Sequence, residues 1–425
     1  MGPYGYLGKS MQATQERLRR DLEENAEFGA LEDVDGHGRT VLTGTDANRD
    51  ARERLVDRFE DAGLCVTVDS VGTIVGRWIS ESADPSAAPI ATGSHLDSVP
   101  SGGIFDGPLG VYGGLEAVRT LQDAGCEPGR PIDVVCFTEE EGGRFGNGLL
   151  GSSVAIGDRS PADALAFEDE SGIPLELALE QIGFRGDGVT DASEWDAFLE
   201  LHVEQGQQLE QHGDAVGVVS TISGITHCYL DVSGEADHAG STSMRDRADA
   251  LAAASEIVLK LEDGAKEQVR ERSTSAVATV GQVEVTPNAT NVVPGAVRLG
   301  VDIRDVSADS IERLVSRLEA SARRVEHQRP VETTIERPYD VAPAPMAPRC
   351  RDALESASTS VGFEPISMHS GAVHDTMNVA KVTDAGLLFA PSVDGISHNP
   401  KEWTDWEDCA TAATVLAEAI EDLAA

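Results

Sequence analysis

The sequence predicts an α/β fold in which a larger domain built on parallel strands is interrupted by an inserted ferredoxin-like α+β module. Three observations carry this expectation. At 425 residues the chain exceeds one ordinary core and suits two domains. Between residues 65 and 143, short apolar runs flank a segment with helical spacing, the pattern of a β-α-β unit. From about residue 216 the order changes to strand, helix, strand, strand, helix, strand.

In chain order, "DARERLVDRFEDA" (50–62) puts Leu55, Val56 and Phe59 on one helical face, and Gly63 closes it as a left-handed terminal residue would. The runs "CVTVDSVGTIVGRW", "PIATGSHLDSV" and "IDVVCFTEEEGG" read as strands. Between the last two, "GVYGGLEAVRTLQDAG" is apolar at helical spacing and ends on glycine, so its flanking strands should be parallel. Polar residues then fall at strand carboxyl ends, where open α/β sheets place their sites.

The insert reads as "AVGVVSTISGITHCYLDVSG", a helix from about Arg247 to Lys266, "SAVATVGQVEVTP", "VVPGAVRLGVDIR", a second helix and "VETTIERPYDV". The second helix carries one stripe of Ile311, Leu314, Val315, Leu318, Ala322 and Val325. Proline-rich "RPYDVAPAPMAP" reads as a hinge or linker, and the remainder supplies a strand, a loop and a closing helix. The expected division is 1–215 and 341–425 for the larger domain and 216–340 for the insert.

Composition excludes several classes. Seventy-four acidic residues against 33 basic ones give a net charge of −41, which repels nucleic acid. No apolar run approaches the roughly 20 residues of a membrane span. "MGPYGYLGKS" lacks a basic segment followed by an apolar one, so a cytoplasmic location is expected. Six scattered cysteines without a C-x-x-C pair read as free thiols.

Four loops that follow candidate strands hold potential metal ligands: His95 and Asp106, the triplet Glu139-Glu140-Glu141, His202, and His398. Taken singly, a His or Asp at a strand end is more often a hydrogen-bonded cap. Four such loops together offer the mixed nitrogen and oxygen set that Zn²⁺ or Mn²⁺ prefers. A dinuclear site needs one carboxylate shared between ions about 3.5–4 Å apart, and Asp106 is the natural bridge.

"GSHLDSVPSGGIFDGPLGV", "FTEEEGGRF", "LELHVEQG", "GEADHAGSTSM", "PNATNVVPG", "DIRD", "SGAVHD" and "GISHNPKEW" resemble, in order and spacing, the hydantoinase/carbamoylase branch of the M20 metallopeptidase-like amidohydrolases. That branch contains N-carbamoyl-L-amino acid hydrolases, β-ureidopropionases and allantoate amidohydrolases. The resemblance runs from about residue 15 to the C-terminus. It implies an aminopeptidase-like catalytic domain with a dinuclear metal centre, and a lid and dimerisation role for the insert.

Residue by residue, the resemblance implies that His95, Asp106 and His202 hold one divalent ion and Asp106, Glu141 and His398 the other, the ions being Zn²⁺, Mn²⁺, Co²⁺ or Ni²⁺. Asp97 would orient the His95 imidazole. Glu140 matches the general base that takes a proton from water and returns it to the leaving nitrogen. His238 reads on its own as a surface histidine beside a turn, whereas the resemblance places it on the lid, reaching the oxyanion from the partner subunit of a homodimer.

Asn288 and Arg304 match residues that bind the substrate carboxylate, the lesser alternative for Arg304 being a surface pair with Asp302 or Asp305. Gln205, Ser370, Gly371 and Ala372 look like further substrate contacts, with cap or turn roles as the alternative. His374 beside them reads as a supporting residue. Ser243 stands where a proline is usual and His227 where a larger residue is usual, which leaves the substrate's side chain open.

The implied activity is hydrolysis of a linear ureido or amide C–N bond, foremost in an N-carbamoyl-L-amino acid. Allantoate or 3-ureidopropionate hydrolysis is the alternative, then an M20 aminoacylase or peptidase. The expected partners are a small ureido or N-carbamoyl acid and a second copy of the chain.

Lysine is confined to Lys9, Lys260, Lys266, Lys381 and Lys401, and the acids are dispersed along the chain, a pattern that resembles proteins of salt-in halophiles. At 1 M salt the screening length falls to about 3 Å and self-repulsion is quenched. Raising KCl from low to molar concentration is therefore expected to raise the melting temperature by several degrees. A melting temperature flat across that range in a thermal scan would contradict it.

Overall fold

The computed structural model describes residues 11–425, so the "MGPYGYLGKS" segment on which the leader reading rests lies outside the described residues. The chain divides into two units. One contains residues up to Ser220, Met346–Met368 and Val373–Ala425; the other contains Thr221–Pro345 with His369–Ala372.

In the first unit the strands Ile132–Phe137, Ile90–His95, Ala197–Val203 and Asp384–Ala390 lie side by side in that order, all parallel. The first three are buried at every position, as expected of parallel strands covered on both faces. Cys65–Val68 and Ile74–Trp78 extend the sheet antiparallel at one side. Gly217–Ile222 runs antiparallel to Asp384–Ala390 at the other side.

The helix Pro108–Ala124 joins the His95 strand to the Phe137 strand, which is the β-α-β unit read from the sequence. It opens with proline in its first turn, where no N–H is needed, and closes on left-handed Gly125. It is buried from Pro108 to Leu121. A Cβ on Gly110 would sit 2.3 Å from the Leu201 carbonyl oxygen, so glycine is what lets this helix lie directly on the strand carrying His202. The C-terminal helix Trp406–Leu423 packs against it and completes that face of the core.

Two sequence expectations shift. The helix expected at 50–62 spans Asp46–Asp61, because the Thr45 hydroxyl accepts the Asn48 amide and starts it a turn earlier. The proline-rich stretch, in which the chain passes from one unit to the other between Pro345 and Met346, is ordered: Glu332–Val341 continues as a strand with a bulge between Glu336 and Tyr339. Pro348 then opens the helix Pro348–Val361. Prolines at a bulge and at a helix start need no backbone N–H there.

The second unit has a four-stranded antiparallel sheet in the order Glu332–Val341, Gly224–Ser233, Ala296–Asp305, Val277–Thr286. With the helices Ala250–Glu271 and Ala308–Gln328 this is the ferredoxin-like β-α-β-β-α-β arrangement. The predicted stripe from Ile311 to Val325 is buried in its core. The first helix starts at Ala250 instead of Arg247, because the Asp249 carboxylate caps the Ala252 amide. The cysteines are free, four of them buried. Among the described residues no helix is long and apolar enough to cross a membrane.

Candidate metal centre

The parallel register sets the site. His95 pairs with Phe137 and His202 with Phe389, so the loops that follow these strands leave the sheet at one edge. Gly107 lets the loop after His95 fold back: it has a φ of +84°, and a Cβ there would meet the His95 ring at 2.5 Å. Asp106 is thereby carried beneath the imidazoles.

Asp106 faces two ways. Its Oδ1 lies 3.2 Å from His202 Nε2 and 3.6 Å from His95 Nε2. Its Oδ2 lies 3.4 Å from His398 Nε2, which in turn is 3.3 Å from Glu141 Oε2. Two donor groups result, His95-Asp106-His202 and Asp106-Glu141-His398, each with its ligand atoms within 4.8 Å of one another. Glu140 Oε2 lies 3.6 Å from His95 Nε2, so the adjacent glutamates address opposite halves of the site.

The imidazoles are aimed by main-chain carbonyls. His95 Nδ1 donates to the Asp97 carbonyl and His202 Nδ1 to the Val203 carbonyl, both at 3.0 Å, which turns each Nε2 toward Asp106. Asp97 holds the His95 ring through its main-chain carbonyl; its carboxylate oxygens accept the Glu140 amide at 3.3 Å and the Glu141 amide at 3.1 Å. Those amides leave the strand with no ladder partner, and a buried carboxylate satisfies both. Glu139, at φ +55°, accepts the Arg144 and Phe145 amides and so fixes the turn.

Electrostatically the site is a crowd of buried acids. Burial, then Glu141, holds the Glu140 carboxyl well above its usual range. Burial and Asp106 push Glu141 up to about 8. Burial disfavours charge on His202, yet Asp106 outweighs it and raises the imidazole to about 9. The hydrogen bond to Asp106 likewise raises His398 to about 9. Glu141 Oε1 is buried without a hydrogen-bond partner among the described residues. Two imidazoles and a carboxylate on one side, two carboxylates and an imidazole on the other, and an orphaned carboxylate oxygen fit a pair of divalent cations.

Gln205, read from the sequence as a substrate contact, donates its amide to Asp106 Oδ2 at 2.9 Å and lies 3.2 Å from Ser397 Oγ. His374 packs edge-on against His202, ring centres 4.5 Å apart. The sequence reading passed over Ser397 and Glu402. Both sit in the quoted "GISHNPKEW", and the signal was an acid four residues after His398 in a loop too short to bury it idly.

The remaining candidates belong to the second unit. Arg304 pairs with Asp302 at 3.0 Å, the alternative its sequence context offered, and donates to the Gly371 carbonyl at 2.8 Å. Asp302 also meets His227 Nε2 at 3.0 Å. The Ala372 amide donates to Ser370 Oγ at 3.1 Å. His238 is exposed; its Nδ1 accepts the amides of Gly240 and Ser241, which places its proton on Nε2. Asn288 is exposed at φ +51° in the turn after Pro287.

The profile of peptidase family M20/M25/M40 matches residues 91–422, a span that takes in all five candidate ligands. The chain belongs to this M20 family. It is 38% identical over 413 residues to an N-carbamoyl-L-amino acid amidohydrolase of Geobacillus stearothermophilus, covering 96% of this chain and 98% of that one. It is 34% identical to an allantoate amidohydrolase of Bacillus subtilis, covering 95% and 96%. The crystal structure of a hydantoinase/carbamoylase family amidase from Burkholderia multivorans superposes with a TM-score of 0.92 at 35% identity, covering 98% and 99%. The branch of the M20 family read from the motifs is therefore borne out.

The clamp on the Glu140 and Glu141 amides yields a stability test. Asp97→Ala leaves the buried Glu140 amide and the part-buried Glu141 amide without an acceptor and is expected to lower unfolding stability by about 1–3 kcal/mol. A denaturant midpoint equal to that of the wild type would show that the clamp contributes nothing.

Proposed function

We propose that this M20 protein hydrolyses linear ureido or amide C–N bonds with two divalent ions, acting foremost as an N-carbamoyl-L-amino acid amidohydrolase. The observation that carries the reading is Glu140, placed beside two donor groups that share Asp106. His95, Asp106 and His202 would hold one ion, and Asp106, Glu141 and His398 the other. Ions there supply Lewis-acid polarisation of the scissile carbonyl and acidify water. Glu140 accepts the proton of the attacking water and passes it to the leaving nitrogen, a role suited to a carboxyl with a raised affinity for protons.

Arg304, with Asn288, binds the substrate carboxylate through its planar fork, and His238 Nε2–H donates to the developing oxyanion. For a carbamoyl amino acid, water cleaves the ureido group and the products are the amino acid, carbon dioxide and ammonia. The match to an allantoate amidohydrolase keeps allantoate on the substrate panel, together with 3-ureidopropionate.

The second unit, Thr221–Pro345 with His369–Ala372, serves as the lid and dimerisation domain proposed for the insert that the sequence places at 216–340. Its edge strand Val277–Thr286 exposes Val277 and Val283 and carries one charged side chain, Glu284. An edge so lightly guarded in a chain of charge −41 is suited to pairing with a second copy. Sedimentation in molar KCl should give a dimer that Val283→Lys weakens. A wild-type monomer at assay concentration would end this part of the reading.

Ammonia release from N-carbamoyl-L-amino acids, 3-ureidopropionate and allantoate, with added Mn²⁺ or Zn²⁺, tests the activity. Glu140→Gln is expected to lower kcat by about 10²–10⁴-fold while metal content stays unchanged. Metal-replete protein silent on the whole panel but active on N-acetyl amino acids or dipeptides would replace the reading with an aminoacylase or peptidase.

A further inference from the structure

Glu402 is a charged side chain with no place in the proposed chemistry, yet it is only 1% exposed. Its Oε1 accepts two main-chain amides, Phe105 at 2.8 Å and Asp106 at 3.0 Å. Its Oε2 lies 3.0 Å from Ser397 Oγ, and that hydroxyl is 2.6 Å from Asp106 Oδ2. The Asp106 backbone and the Asp106 carboxylate are thus both reached from one C-terminal loop. A Cβ on Gly103 would come within 2.3 Å of Glu402 Oε1, so the carboxylate is seated in the turn with no spare room. From the other side, buried Arg39 donates to the carbonyls of Leu96 and Gly103, both at 3.1 Å, closing the same loop.

We infer that Glu402 and Ser397 are positioning residues that fix Asp106 in the orientation needed to serve both donor groups at once. Asp106 can bridge only if each oxygen keeps its own side. Ser397 and Gln205 anchor Oδ2, and Glu402 prevents the Phe105–Asp106 peptide from rotating. His398 follows Ser397 directly, so the same contacts bring the histidine to its partner. The inference rests on the metal reading proposed above.

Metal affinity by competition with a chelator, metal stoichiometry, and the visible spectrum of the Co²⁺-substituted protein provide the test, each read on wild type, Glu402→Ala, Glu402→Gln and Ser397→Ala. Glu402→Ala is expected to weaken at least one ion by about 10–100-fold and to change the Co²⁺ spectrum. Glu402→Gln should stay within about threefold of wild type, because its amide oxygen still accepts both N–H groups and its NH₂ still reaches Ser397. Ser397→Ala should fall between the two. Melting curves of the metal-free variants report folding separately.

If Glu402→Ala keeps wild-type metal affinity and an unchanged Co²⁺ spectrum, Glu402 is at most a structural anchor and the inference is overturned, whatever happens to its melting temperature. Wild-type protein that takes up no metal in the same titration would instead remove the metal reading, and this inference with it.

Discussion

One carboxylate has to satisfy two groups of ligands, and much of the architecture follows from that demand. Asp106 cannot reach His202 through one oxygen and His398 through the other unless its peptide is held at a fixed angle and depth. Gly107 permits the turn, Gly110 lets the helix behind it settle on the His202 strand, and Glu402 fastens the peptide from the far end of the chain. Each is a local solution to the same geometric problem. The core around them consists of strands buried on both faces, so small displacements cannot be absorbed by soft surroundings.

Electrostatics explains why so many backbone groups are enlisted. Asp97, Asp106, Glu139, Glu140, Glu200 and Glu402 are all buried within the first unit. Isolated charges at that depth are costly, and all of these acids except Glu140 accept hydrogen bonds. Asp97, Glu139 and Glu402 take pairs of main-chain amides, and Glu200 takes the Ser94 hydroxyl and the Thr376 amide. Asp97 and Glu139 thereby stiffen the loop that carries Glu140 and Glu141, and Glu402 the loop that carries Asp106.

The gathering of His95, Asp106, Glu141, His202 and His398 was legible because each follows a strand-like run, and parallel strands deliver such residues to one edge. The ferredoxin-like order was legible because period-two and period-3.6 patterns alternate cleanly from residue 216 onward. What escaped the sequence were choices made by backbone angles. Whether Asp97 offers its carbonyl or its carboxylate to His95 is decided by two torsions that residue types do not specify. Glu402 stood in the quoted "GISHNPKEW", but its role was not legible because its partners there are amides, and every residue but proline has one. The shift of the helix start to Asp46 came from a single hydroxyl, and the strand and helix in the proline-rich segment were hidden because proline also suits bulges and helix starts.

The contact between Glu402 and the Asp106 amide also orders events in time. These residues are 296 positions apart. At about 5–20 residues per second, a ribosome would deliver Asp106 about 15–60 s before Glu402. The sheet is likewise assembled from distant pieces, since Ala197–Val203 lies beside Asp384–Ala390. For the part of that interval after residue 202 has been made, His95, Asp106 and His202 are present without the C-terminal loop that holds Asp106. The donor group that includes His398, and the Ser397 and Glu402 contacts to Asp106, are completed only by the last 40 or so residues of the chain.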